Sequence, residues 1–269
     1  MELSFLTSKN IAEGIEGMLS PFSMAAMDSV LAFQATAGIH GDMTELGVFR
    51  GKSAAILAGR LATEEQLHLF DIEDYFDRPA LERIGARLSF NVGSTLDLRR
   101  RRFARGGTRF CHIDASHQFE PTLHELALAD YMLSPQGVVC LDDYTNLNYS
   151  QILAATFKYL FTRRTDLTMF MVTNEKAYLC RRKMFPIYAE FVLHRAISEM
   201  AKRGIDDVCI ARTDDTPSYG AFYLRPKEPG ETDDLYGKAI YQQFYEIKRH
   251  SPVIGAAAVV ARKLRRFFG

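Results

Sequence analysis

The chain of 269 residues is predicted to be an α/β protein: a doubly wound sheet, mostly parallel with one antiparallel strand, helices on both faces, an N-terminal helical lid and a C-terminal α+β appendage. Strand-like and helix-like segments alternate from Met43 to about Arg181, which is the pattern of a parallel sheet covered on both sides. The last two candidate strands of that stretch are separated only by "TNE", and so short a turn forces an antiparallel hairpin. Length and a composition of 47% hydrophobic and 25% charged residues allow one large core and exclude a disordered or fibrous chain.

In chain order, residues 1–40 read as amphipathic helix, with Ile11, Ile15 and Met18 on one stripe and a break at Pro21, and serve as a lid or oligomerisation element of a homo-oligomer. Residues 41–183 form the main domain. Its strands are expected at 43–48, 66–70, 89–92, 109–113, 137–141, 167–172 and 176–180. Helices fall near 52–61, 79–88, 96–104, 119–132 and 150–163. Residues 184–269 form the appendage: a long helix after Pro186 ending at Gly204, strand patches at 207–211 and 220–224, and the tail "VIGAAAVVARKLRRFFG". That tail is expected to pack on protein, in preference to lying on a membrane surface. The run Arg99–Arg102 is expected on a solvated helix face.

Lys plus Arg equals Asp plus Glu at 33 each, so charge gives no argument for a nucleic-acid partner. Cys111, Cys140, Cys180 and Cys209 lack zinc-like spacing and read as buried thiols of a cytoplasmic protein. The start "MELSFLTSKNIAEG" has no basic region followed by an apolar core, so no signal peptide is expected.

After the first strand comes "ELGVFRGKS", with Glu45, Gly47, Gly51 and Ser53. Glycines at a strand-to-helix turn let a ligand approach the backbone. The spacing is neither the dinucleotide fingerprint nor a P-loop. The second strand ends in Asp71, where a dinucleotide-type sheet grips ribose hydroxyls, and the third ends in Gly93 and Ser94, placed to contact an adenine. Any of these alone reads as a turn or a cap; together they outline one ligand.

The fourth strand ends in Asp114 and the fifth in the pair Asp142 and Asp143. Adjacent strands of a doubly wound sheet deliver these ends to one crevice, so three carboxylates converge. Charges of one sign need a counter-charge, and Mg2+ with oxygen ligands is the expected one. His117 either takes the proton of a nearby hydroxyl or hydrogen-bonds Asp114.

The segments "ELGVFRGKSA", "LFDIED" and "CHIDASHQFEPTLHELALADYMLSPQGVVCLDDY" resemble the class I S-adenosylmethionine-dependent methyltransferases, Rossmann-like in fold, and among them the metal-dependent O-methyltransferases of the macrocin and aminocoumarin-sugar type. The resemblance spans about residues 41–181. It implies S-adenosylmethionine held by Glu45, Gly47, Gly51, Asp71 and Gly93–Ser94, a metal held by Asp114, Asp142 and Asp143, and a small-molecule diol as substrate. Sugar-methylating members carry a second acid where this chain has Ser116, which leaves the base to His117 or to the metal alone. The competing expectation is a cofactor-binding or assembly subunit that has lost catalysis.

Overall fold

The computed structural model describes residues 3–162, 164–212, 221–231 and 234–236. Two helices, α1 (Phe5–Glu13) and α2 (Pro21–Thr36), precede β1 (Asp42–Leu46). The chain continues through α3 (Lys52–Ala58), β2 (Leu67–Asp71), α4 (Arg78–Glu82), β3 (Leu88–Val92), β4 (Thr108–Ile113), α5 (Phe119–Met132), β5 (Leu133–Leu141) and α6 (Ser150–Thr162). It ends in β6 (Leu167–Val172), β7 (Ala177–Arg181), α7 (Phe185–His194), α8 (Ala196–Ala201), β8 (Val208–Arg212), β9 (Phe222–Pro226) and β10 (Asp234–Tyr236).

The described strands form one sheet in the order β10-β8-β9-β6-β7-β5-β4-β1-β2-β3. Strands β1 to β5 pair in parallel. Strand β7 runs antiparallel to both β5 and β6, as the "TNE" turn requires. Beyond residue 183 the same sheet continues, because β9 pairs with β6 and β8 returns antiparallel beside β9, so reversed strands other than β7 occur there. Strand order reverses between β1 and β4, and that switch point opens a crevice at the carboxyl ends of the strands.

Alternation along each strand sorts side chains to two faces. Met43, Phe110, Val138, Cys140 and Tyr178 pack with α2, α3 and α7, while Cys111, Ile113, Val139, Leu141 and Leu179 pack with α5 and α6. All four cysteines are buried thiols. No helix of the described residues is long and apolar enough to cross a membrane. The tail from Val253, with its expected helix, lies outside the described residues.

Several local expectations are corrected. Met18 is 98% exposed and outside any helix, and Pro21 opens α2 behind the Ser20 cap instead of breaking a longer helix. Gly85, in the left-handed region, follows the short α4, so no helix reaches residue 88. Residues 96–104 form no α-helix; 3-10 turns occupy Thr95–Asp97 and Arg100–Arg102, and Leu98 and Phe103 between and after them pack against the core. There Arg102 binds Asn91 and lies over the Phe70 ring, so the arginine run is partly engaged with protein. The helix expected to run to Gly204 breaks at Arg195, whose guanidinium lies over Phe33 of α2.

The two ends of this architecture are tied by Arg109, fully buried at an irregularity of β4. Its guanidinium donates to both oxygens of Glu65 at 2.8 Å, to Gln34 Oε1 of α2 at 3.1 Å and to the Arg60 carbonyl at 2.7 Å. Burial alone would raise the Glu65 carboxyl; Arg109 and the backbone N–H groups of Ala62 and Gly41 reverse that and hold it below its ordinary value. Glu65→Gln is therefore expected to cost about 3–5 kcal/mol of stability at pH 7 in denaturant unfolding. A carboxyl with a lowered folded pKa stabilises above its unfolded value and loses that contribution as pH falls through the folded value. The gap between the variant and the parent should accordingly close below about pH 4.5.

Candidate active site

The turn after β1 is shaped by contacts that leave no room for side chains. A Cβ on Gly47, at φ 84°, would lie 1.9 Å from the Asp114 carbonyl oxygen, so only glycine lets the β1 turn lie against the end of β4. Phe49 adopts φ 50°, a costly conformation for an aromatic residue. Asp71 Oδ2 accepts the N–H groups of Val48 and Phe49, both at 2.7 Å, and so braces the turn. Gly51, at φ 95°, starts α3, and Ser53 is buried in it. Gly93 ends β3 with open space where its Cβ would be, and its N–H binds the Asp71 carbonyl. Ser94 accepts the Leu96 N–H. Glycine turn, Asp71 and Gly93–Ser94 thus border one side of the crevice. Glu45 lies beneath that turn, fully buried, with Oε1 on His112 Nδ1 at 2.7 Å and no partner for Oε2 among the described residues.

On the other side the acids divide between two adjoining clusters. In the first, His117 Nε2 lies 3.2 Å from Asp114 Oδ1 and 3.0 Å from Asp143 Oδ2, and Asn146 Nδ2 donates to Asp143 Oδ1 at 2.9 Å. The His117 ring stacks on Tyr149 at 4.5 Å. His117 and Asp143 both adopt positive φ, 55° and 52°. In the second cluster Lys176, fully buried, forms an ion pair with Asp142 Oδ2 and donates to His112 Nε2 at 3.3 Å. An ammonium can only donate, so Nε2 of His112 accepts and Nδ1–H is left to donate to Glu45. Asp142 Oδ1 accepts the Asp143 N–H at 2.8 Å.

The field of these charges follows from the geometry. Burial would raise the Asp114 carboxyl, but the His117 bond and the nearby Lys176 ammonium hold it well below its ordinary value. The Asp114 bond raises His117, helped by the charges of Asp143 and Asp142, against burial. Burial would lower Lys176; Asp142 above all more than reverses this and keeps the ammonium charged.

Asp114, His117 and Asp143 offer donor atoms within 4.8 Å of one another, as do His112, Asp114 and Asp142. Asp114 belongs to both groups, one of which carries Asp143 and the other Asp142. Lys176, His112 and Asn146 escaped sequence reasoning. The position of Lys176 follows from the antiparallel β5–β7 pairing, which the sequence does not disclose: Cys140 faces Tyr178, so two residues on Asp142 faces Lys176. A separate open cleft of about 1320 Å³ at the amino ends of β4 to β6 is bordered by Arg105, Asp130, Arg181 and Asp166, and Arg181 already pairs with both acids.

Residues 44–144 match the family described as a methyltransferase domain. The chain is similar in fold to cofactor-bound Rv0187 from MTB, at 18% identity and TM-score 0.51, over 66% of this chain and 88% of that one. It also matches the O-methyltransferase from Bacillus cereus in complex with SAH, at 15% identity and TM-score 0.48, over 65% of this chain and 86% of that one. TomG from Streptomyces achromogenes in complex with SAM matches at 18% and 0.45, over 61% and 88%. At these identities the likeness concerns the fold. No curated protein matches the chain.

Asp71→Ala frees the Val48 and Phe49 N–H groups and removes the carboxylate from the side of the crevice where the cofactor is expected. Calorimetry with S-adenosylhomocysteine should show a loss on the order of 1.5–3 kcal/mol, about 10- to 150-fold. An unchanged affinity removes Asp71 from the site.

Proposed function

We propose that this chain is a class I S-adenosylmethionine-dependent methyltransferase that moves the cofactor's methyl group to an oxygen of a small molecule bearing neighbouring hydroxyls, a sugar or catechol-like diol. A divalent cation held by Asp114, His117 and Asp143 assists. The observation that carries this reading is the spacing of 3.0 and 3.2 Å about His117 Nε2. Adjacent ligands of an octahedral ion at about 2.1 Å are separated by about 3.0 Å, so the same spacing suits a bound ion. Asp142, already neutralised by Lys176, is left out of this donor set. With an imidazole among the ligands, the site suits Mn2+ better than the Mg2+ that three carboxylates would favour.

When bound, the cation acts as a Lewis acid that lowers the pKa of a substrate hydroxyl. The chain's own residues align the reactants. Transfer breaks the S–CH3 bond and forms an O–CH3 bond; the thioether leaves neutral and the hydroxyl proton passes to water, so positioning is the main demand on the protein. The glycine turn, Asp71 and Gly93–Ser94 would hold the cofactor. Tyr149, on the His117 ring, walls the acceptor side. Because His117 Nε2 faces two carboxylates, a ligand's role suits it better than that of a free base. Segment 14–20 would act as the lid: Glu16 pairs with Arg50 at 2.8 Å, Lys52 binds the Gly17 carbonyl, and Ser20 reaches Glu175 across the crevice.

Purified protein given methyl-labelled S-adenosylmethionine and a panel of sugar and catechol diols should transfer label with Mn2+ and lose this on chelation. Asp143→Asn should lose at least about 10² in turnover and in Mn2+ affinity while cofactor affinity stays within about twofold. Activity that survives chelation rejects the cation. Cofactor binding with no transfer to any diol supports the binding-subunit alternative.

A further inference from the structure

Lys176 belongs to no element of the reaction described above, yet its side chain is fully buried at the edge of the crevice. Its backbone is pinned in the turn before β7: Thr173 N–H binds the Lys176 carbonyl at 2.8 Å, and Lys176 N–H binds Thr173 Oγ1 at 3.0 Å. The ammonium therefore has one place to reach, between Asp142 Oδ2 and His112 Nε2. His112 is itself fixed from behind by Glu45. Glu45, His112 and Cys140 are adjacent in register across β1, β4 and β5, so this polar row crosses one face of the sheet to the hairpin.

The row ends on a strained residue. Asp143 is held at φ 52°, a conformation that a non-glycine residue keeps only when its surroundings impose it. Two bonds do so: Asp142 Oδ1 accepts its N–H, and Asn146 grips its Oδ1. The orientation of Asp142 is set in turn by the ammonium on its other oxygen. In this conformation Asp143 Oδ2 meets His117.

We propose that Lys176 is a positioning residue for the acceptor site. Backed by His112 and Glu45, it clamps Asp142, which sets Asp143 against His117 and takes no part itself in ion binding. The second clause rests on the cation reading given above; the first stands on geometry alone.

The test uses the full chain with Lys176→Met and the double variant Lys176→Met/Asp142→Asn. The double variant leaves no buried unpaired charge. Its amide oxygen can still accept the Asp143 N–H while the amide nitrogen faces His112 Nε2. Two readouts are taken: Mn2+ affinity by calorimetry, and the 15N resonances of the His117 ring, which report the Asp143 contact with or without metal. In Lys176→Met the His117 resonances should shift and Mn2+ affinity should fall about 10- to 100-fold, with cofactor affinity unchanged. The double variant should return both close to the parent. If Lys176→Met does not fold, Lys176→Gln takes its place with the same shifts expected, and unshifted His117 resonances in it overturn the clamp. Resonances that stay put in folded Lys176→Met, or that stay displaced in the double variant, overturn it. Loss of Mn2+ binding in a double variant with parent-like His117 resonances makes Asp142 a ligand and overturns the second clause. A parent protein that binds no Mn2+ overturns the cation reading, and the resonances then decide the clamp alone.

Discussion

Carboxylates gathered at the carboxyl ends of neighbouring parallel strands repel one another, and here the counter-charge nearest to hand is the Lys176 ammonium buried against Asp142. Parallel strands can bring only their carboxyl ends to this edge. The antiparallel β7 is different, because the residue at its amino end lies beside the carboxyl end of β5. A reversed strand thus lets a residue that starts a strand reach the crevice, and the lysine occupies that place. Its hydrogen bond to His112, and that of His112 to Glu45, extend the arrangement across the sheet to the strand that carries the glycine turn.

Both sides of the crevice use one device. Among the described residues, the non-glycine positions with positive φ are Phe49, His117 and Asp143, at the ends of β1, β4 and β5. Phe49 and Asp143 each give their N–H to an aspartate carboxylate, Asp71 and Asp142 respectively. A carboxylate accepting backbone N–H groups holds a turn that its own backbone preference opposes. Strain is concentrated where a ligand would be gripped, and the rest of the sheet is regular enough to support it.

The sheet was legible because apolar runs and helical stripes are local signals, so β6 and α5 fall where the pattern puts them. The glycine turn was legible for the same reason. Helix ends were not: α4 stops at Glu82, ahead of the left-handed Gly85, and the break at Arg195 depends on where Phe33 lies. The acids at the strand ends were visible, but their partners were not. Which acid has a counter-ion depends on which residues face one another across β5 and β7, and a one-residue change in register would exchange the two aspartates. Lys176 therefore read as an ordinary strand start, and nothing local separated Asp142 from Asp143.

The claim that the two aspartates differ in role can be seen directly. Crystals grown with S-adenosylhomocysteine and soaked in Mn2+ would show the ion by anomalous scattering. The account requires one peak within about 2.3 Å of carboxylate oxygens of Asp114 and Asp143 and of His117 Nε2, with Asp142 still on Lys176. A peak bound by Asp142, with Lys176 displaced from it, would contradict the account.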